Sequence, residues 1–194
     1  MDNLGYVRNY LENSLVVKHK LLADEVLLKK IEQVALVIQD GYSKGNKVLL
    51  AGNGGSAGDS QHIAAELVSR FLYDRPGLSA IALTTDSSML TAIGNDYGFD
   101  KVFSRQVQAQ GVAGDIFIGI STSGNSKNIM EAVKEAKDKG IITIAMCGSE
   151  GMLASSVDIA LAIPSNSTPY IQECHICVGH IICALVEKNI FPKE

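Results

Sequence analysis

Asp115-Ile-Phe-Ile-Gly-Ile-Ser-Thr-Ser-Gly-Asn-Ser126 is a short apolar run that breaks into a turn of hydroxyls and glycine, with a helical pattern starting at once. Lys47-Val-Leu-Leu-Ala-Gly-Asn-Gly-Gly-Ser-Ala57 repeats the arrangement earlier in the chain. Both apolar runs are nearly continuous rather than alternating, the pattern of a parallel strand covered on both faces. Similar runs at 78–83, 141–147 and 157–163 alternate with helical stretches, one at 126–139 that closes at Gly140 and one at 169–189. Strand–helix alternation of this kind predicts a three-layer α/β/α sandwich, a flavodoxin-like doubly wound fold around a five-stranded parallel sheet. Before the first strand, Leu4, Val7, Leu11 and Leu15, then Leu27, Ile31, Val34 and Ile38, recur at three- and four-residue spacing. They predict an N-terminal helical pair over residues 1–45 that docks on the domain or on a neighbouring subunit, within a single domain of 1–194.

The two turns also point to a ligand. A helix N-terminus exposes unpaired backbone N–H groups and the positive end of a dipole, which together suit a phosphate. Glycine lets the backbone approach closely, and serine and threonine hydroxyls add donors. The 121–126 turn has four hydroxyls in six residues and is the better cradle. Neither turn is a P-loop, because no Gly-Lys-Ser/Thr follows four residues after a glycine, and neither has the dinucleotide G-x-G-x-x-G spacing. In a doubly wound fold ligands lie outside the carboxyl ends of the strands, where both turns fall.

Just beyond the first turn, His62 and Glu66 are four residues apart and share one helix face. A histidine and a carboxylate so placed can share a metal ion or act as proton donor and acceptor. The last helix carries Gln172, Glu173, His175, Cys177 and His180. Gln172 and His180 are about 80° apart around it, Glu173 and Cys177 lie closer to the His180 face, and His175 is displaced by about 140°. Spacing alone leaves Gln172, Glu173 and Cys177 open as companions of His180.

Composition bounds the rest. The chain has 194 residues, 46% of them hydrophobic and 20% charged, with a formal charge of −4. That is ordinary globular material without the basic stripe of a nucleic-acid binder. No apolar run is expected to approach the roughly 20 residues of a membrane span, and the N-terminus lacks a signal-peptide pattern. Cys147, Cys174, Cys177 and Cys183 lie in or beside apolar runs and read as buried reduced thiols of a cytoplasmic protein. Cys174-His-Ile-Cys177 falls late, inside a helical pattern, and lacks the setting of a redox or haem motif.

Four segments carry a resemblance: Ala51-Gly-Asn-Gly-Gly-Ser-Ala-Gly-Asp-Ser-Gln-His-Ile-Ala-Ala-Glu-Leu67, Gly94-Asn-Asp96, Ser121-Thr-Ser-Gly-Asn-Ser126 and Ile171-Gln-Glu-Cys-His-Ile-Cys-Val-Gly-His180. Together they resemble the motifs of the bacterial phosphoheptose isomerases, in the sugar-isomerase (SIS) domain superfamily, and the likeness spans essentially the whole chain. It implies an aldose–ketose isomerase that converts sedoheptulose 7-phosphate into D-glycero-D-manno-heptose 7-phosphate for lipopolysaccharide or capsule. It also implies a homotetramer with active sites between subunits and one zinc ion per site. Carried onto this chain, the zinc ligands are His62, Glu66, Gln172 and His180, and the acid–base pair is Glu66 with His180. Substrate contacts fall to Asn53, Gly54, Gly55, Glu66, Asn95, Asp96, Ser121, Thr122, Ser123, Ser126 and Gln172, with Ser56 as an extra donor. The chain departs from the pattern at Thr168-Pro-Tyr-Ile171, where the family often carries a charged residue. Competing readings are a non-catalytic SIS adaptor that binds the replication initiator, an isomerase of another phosphosugar, and a thiol redox protein built on Cys174 and Cys177.

Overall fold

The computed structural model describes residues 2–193; Met1 and Glu194 of the expected 1–194 domain lie outside the described residues. Helices α1 (Asn3–Ala23) and α2 (Glu25–Ser43) precede β1 (Val48–Gly52). Then come α3 (Gly55–Val68), β2 (Ala80–Ala82), α4 (Ser87–Tyr97), a 3₁₀ turn (Phe99–Lys101) and α5 (Ser104–Gln110). The chain continues through β3 (Ile116–Ser121), α6 (Lys127–Asp138), β4 (Ile142–Gly148), α7 (Leu153–Ser156) and β5 (Ile159–Ile163) to α8 (Thr168–Ile190). The sheet is parallel throughout, in the order β2-β1-β3-β4-β5. This is the flavodoxin-like order, which reverses direction between β1 and β3 and opens a crevice there. The two glycine- and hydroxyl-rich turns follow those two strands, so they face each other across it.

Period-two alternation divides the core. Val48 and Leu50, Ile116, Ile118 and Ile120, and Ile144 and Met146 face one side, against α2, α3 and α8. Leu49 and Ala51, Phe117, and Ala145 and Cys147 face the other, against α5 and α6. Nearly all are fully buried, and each large side chain removed from water contributes about 1.5–3 kcal/mol.

The N-terminal pair divides in a different way. Leu27, Ile31, Val34 and Ile38 of α2 are buried against the domain, whereas Leu4, Val7, Leu11 and Leu15 of α1 are more than half exposed. The residues of α1 that do pack inward are Ser14, Val17 and Leu21.

Two sequence expectations need correction. Cys177 is exposed, because its position on α8 faces away from the core that buries the other three thiols. Helix α8 is also long and apolar enough to pass as a membrane span, with a mean hydropathy of 1.3. It is the central helix of one layer, with Ile171, Val178, Ile182 and Val186 buried against α2, α3 and the sheet.

Helix α8 also buries His175 completely, and neither ring nitrogen has a well-aligned hydrogen-bond partner among the described residues. Burial pushes its pKa down to about 4, opposed weakly by the nearby Cys147 backbone. The unfolded chain therefore binds a proton that the fold refuses between the ordinary value of 6.5 and about 4. Stability should be full above the upper value and fall through that window as pH drops, by about 3 kcal/mol from this residue. Unfolding free energies of wild type and His175→Leu from urea titrations, compared from pH 7 to 4.5, should diverge by most of this amount; parallel pH profiles would refute the assignment.

Candidate active site

Helix α3 starts at the carboxyl end of β1, and α8 follows β5 at the same edge of the sheet. The two helices run side by side because two glycines admit close approach. A Cβ on Gly179 of α8 would lie 2.7 Å from Ile63 of α3, and one on Gly55 would collide with the Gln172 amide. One contact is near the start of both helices and the other about 11 Å further along, so α3 and α8 point the same way.

That alignment brings three side chains together. His62 Nε2 lies 3.1 Å from Glu66 Oε1 and 3.3 Å from His180 Nε2. The two imidazoles meet nearly edge to face at 5.0 Å, and the Phe71 ring packs against His180 at 5.4 Å, tilted by 37°. One ligand atom from each of His62, Glu66 and His180 lies within 4.8 Å of the others, close enough for one ion. The cluster opens outward, with the His62 side chain 46% and the Glu66 side chain 24% exposed.

The candidates for the companion of His180 separate by contact. Glu173 turns to α1, where its carboxylate accepts from Ser14 Oγ and Tyr10 Oη and faces Lys18. Cys177 is on the exposed side. Gln172 lies against Gly55 at the head of α3. The departure at Thr168–Tyr170 is accommodated by Pro169 in the first helical turn, where no N–H is needed, and by Tyr170 against Tyr10 at 5.0 Å.

The second turn has the geometry of an anion cradle. Ser121 Oγ is 2.9 Å from Ser126 Oγ and 3.5 Å from Ser123 Oγ, so three hydroxyls converge. Ser126 makes no side-chain cap on α6, and α3 and α8 likewise begin without one, whereas Asp2, Asp24 and Asp86 cap α1, α2 and α4. Thr122 and Ser123 line a polar cavity of about 240 Å3 beside the cradle. Asn53, in the first turn, exchanges two 2.9 Å amide bonds with Asn128 at the head of α6, which ties the two turns together. Gly54 and Gly55 form the start of α3, and Ser56 is buried in its first turn. Asn95 and Asp96 belong to neither group. They bond to each other at 2.8 Å on α4, whose Leu90 and Ile93 pack on the opposite side of the sheet.

The match to known proteins agrees with this geometry. A family model described as SIS domain matches residues 9–148. A phosphoheptose isomerase of Aneurinibacillus thermoaerophilus is 58% identical over 97% of this chain and 96% of its own. The phosphoheptose isomerase 2 of Campylobacter jejuni is 55% identical over all of this chain and 97% of its own. The chain belongs to the phosphoheptose isomerase family of SIS-domain proteins. A solved phosphoheptose isomerase from Francisella tularensis superposes with a TM-score of 0.93 at 38% identity, over 97% of this chain and all of that one. As a phosphoheptose isomerase family member the chain is an aldose–ketose isomerase.

Several groups at this candidate site were missed by sequence reasoning. Asp59 is three residues before His62 on the same face of α3; its Oδ2 is buried without a hydrogen-bond partner among the described residues. Burial raises its pKa, opposed by the charge of His62. The i, i+3 spacing was the available signal. Phe71 and Asn128 act through contacts distant in sequence and left none. Burial raises the Cys174 pKa, and Cys177, one turn further along α8, is exposed.

Proposed function

We propose that the enzyme converts sedoheptulose 7-phosphate into D-glycero-D-manno-heptose 7-phosphate through an enediol, as a cytoplasmic step that supplies heptose for lipopolysaccharide or capsule. The observation that carries this reading is the meeting of His62, Glu66 and His180 on adjacent helices, at the sheet edge that also holds the hydroxyl cradle. Isomerisation moves a proton between C1 and C2, which calls for a base at carbon and an acid at oxygen. Glu66 is the base and His180 the acid. Glu66 turns Oε1 to His62, which leaves Oε2 for the carbon-bound proton. Ser121, Thr122, Ser123 and Ser126 hold the phosphate, with Ser56 as a further donor. Asn53, Gly54, Gly55, Glu66 and Gln172 contact the sugar, whereas Asn95 and Asp96 lie apart on α4. Binding energy from the remote phosphate holds the reacting carbons in place.

The donor chemistry fits a zinc ion. Two imidazoles and a carboxylate are common zinc ligands, and two histidine Nε2 atoms 3.3 Å apart can share at most one proton, leaving a lone pair for a cation. His62, Glu66 and His180 would hold the ion, one per subunit, with the Gln172 amide oxygen as fourth ligand. When bound, zinc supplies Lewis acidity that polarises the substrate carbonyl. The protein works as a homotetramer with active sites between subunits. The exposed leucines of α1 and the open side of the cluster support that assembly.

Incubation with sedoheptulose 7-phosphate, with and without a chelator, tests the reading directly. Aldose product should form, chelated protein should be slower by about tenfold or more, and added zinc should restore the rate. Conversion of an arabinose or hexose phosphate with sedoheptulose 7-phosphate untouched would overturn the substrate. Absence of both zinc binding and turnover would favour the adaptor reading.

A further inference from the structure

Helices α3 and α8 are fastened together by a buried ion pair one step removed from the cluster. Glu187 is seven residues beyond His180, on the same face of α8. Its buried carboxylate accepts from the backbone N–H groups of Phe71 at 2.8 Å, Leu72 at 2.7 Å and Tyr73 at 3.3 Å, and from Arg75 Nε at 3.1 Å. Arg75 turns its remaining donors to the end of α3, Nη2 to the Glu66 carbonyl at 2.8 Å and Nη1 to the Leu67 carbonyl at 2.6 Å. The guanidinium thus holds the main chain of the residue whose carboxylate faces His62. Phe71, held by Glu187 through its N–H, packs its ring against His180.

A buried pair of this kind is poor evidence of stability, since apolar replacements of similar volume often serve as well. Its connections are what distinguish it, for they end on the main chain of Glu66 and on the ring that abuts His180. We propose that Arg75 and Glu187 are positioning residues for the isomerisation, setting the separation between Glu66 on α3 and His180 on α8. This rests on the reading of Glu66 and His180 as the acid–base pair, and a shift of about 1 Å between such groups is enough to cost rate.

The test compares Arg75→Lys and Glu187→Gln with Lys47→Met. Lys47 pairs with the buried Asp115 at 2.6 Å, at the opposite, amino end of the strands, and serves as a control for lost stability alone. Melting temperature, kcat and KM for sedoheptulose 7-phosphate, and the His180 ring resonances by NMR are read for each variant. The Arg75 and Glu187 variants should lose about tenfold or more in kcat with KM changed less than about threefold, and their His180 resonances should shift as the Phe71 ring moves. Lys47→Met should melt earlier yet keep its kcat and its His180 resonances. Equal kcat among variants of matched melting temperature, or unshifted His180 resonances in Arg75→Lys and Glu187→Gln, would overturn the proposal. If wild type itself left the substrate unchanged, the functional reading would fail, and the resonances would still decide the geometric claim.

Discussion

Glu66→Gln is expected to lower kcat by about 10²-fold or more with the fold intact. The substitution keeps the shape of the side chain and, at a partly exposed position, strands no buried charge. What it removes is basicity: an amide cannot take a proton from carbon. The amide oxygen remains a weak metal donor, so zinc content must be measured alongside turnover. A rate restored by saturating zinc would show that Glu66 serves as a ligand and not as the base. A rate that stays low in fully loaded protein, with the acidic limb of the pH–kcat/KM profile lost, would show the base itself. Near-wild-type turnover would remove Glu66 from the chemistry altogether.

The fold was legible in the sequence because parallel strands covered on both faces must be apolar at nearly every position. The expected runs at 115–121 and 141–147 fall within one residue of β3 and β4 for that reason. At the sheet edge the signal weakens, and the run at 78–83 contains a strand of only three residues, Ala80–Ala82. Periodicity also located α1, but it cannot say what covers an apolar face: Leu4, Val7, Leu11 and Leu15 have the spacing of core residues and are exposed on this chain. Within the site, His62 with Glu66 was readable because i, i+4 neighbours are fixed by the helix itself. The surroundings of His180 were not, since a helical wheel gives angles and no partners. Glu173 has a suitable angle, yet Tyr10 and Ser14 of α1 engage it from more than 150 residues away in sequence. The Arg75–Glu187 link spans 112 residues and likewise leaves no local pattern.

His180→Gln is expected to be as damaging as Glu66→Gln, also about 10²-fold or more in kcat, by a different route. Glutamine can still donate a hydrogen bond to a substrate oxygen and can still offer an oxygen to a metal. It cannot alternate between proton donor and acceptor near neutral pH, as imidazole does. The loss should therefore fall on kcat more than on KM, and the basic limb of the pH profile should flatten while the acidic limb persists. The double variant separates a shared step from two independent contributions. If Glu66 and His180 act on one proton transfer, removing both should cost little more than removing the worse one, because residues that act as a unit are not additive. A double loss near the product of the two single losses would mean that the side chains serve separate steps, and a single variant with near-normal kcat would exclude His180 as the acid.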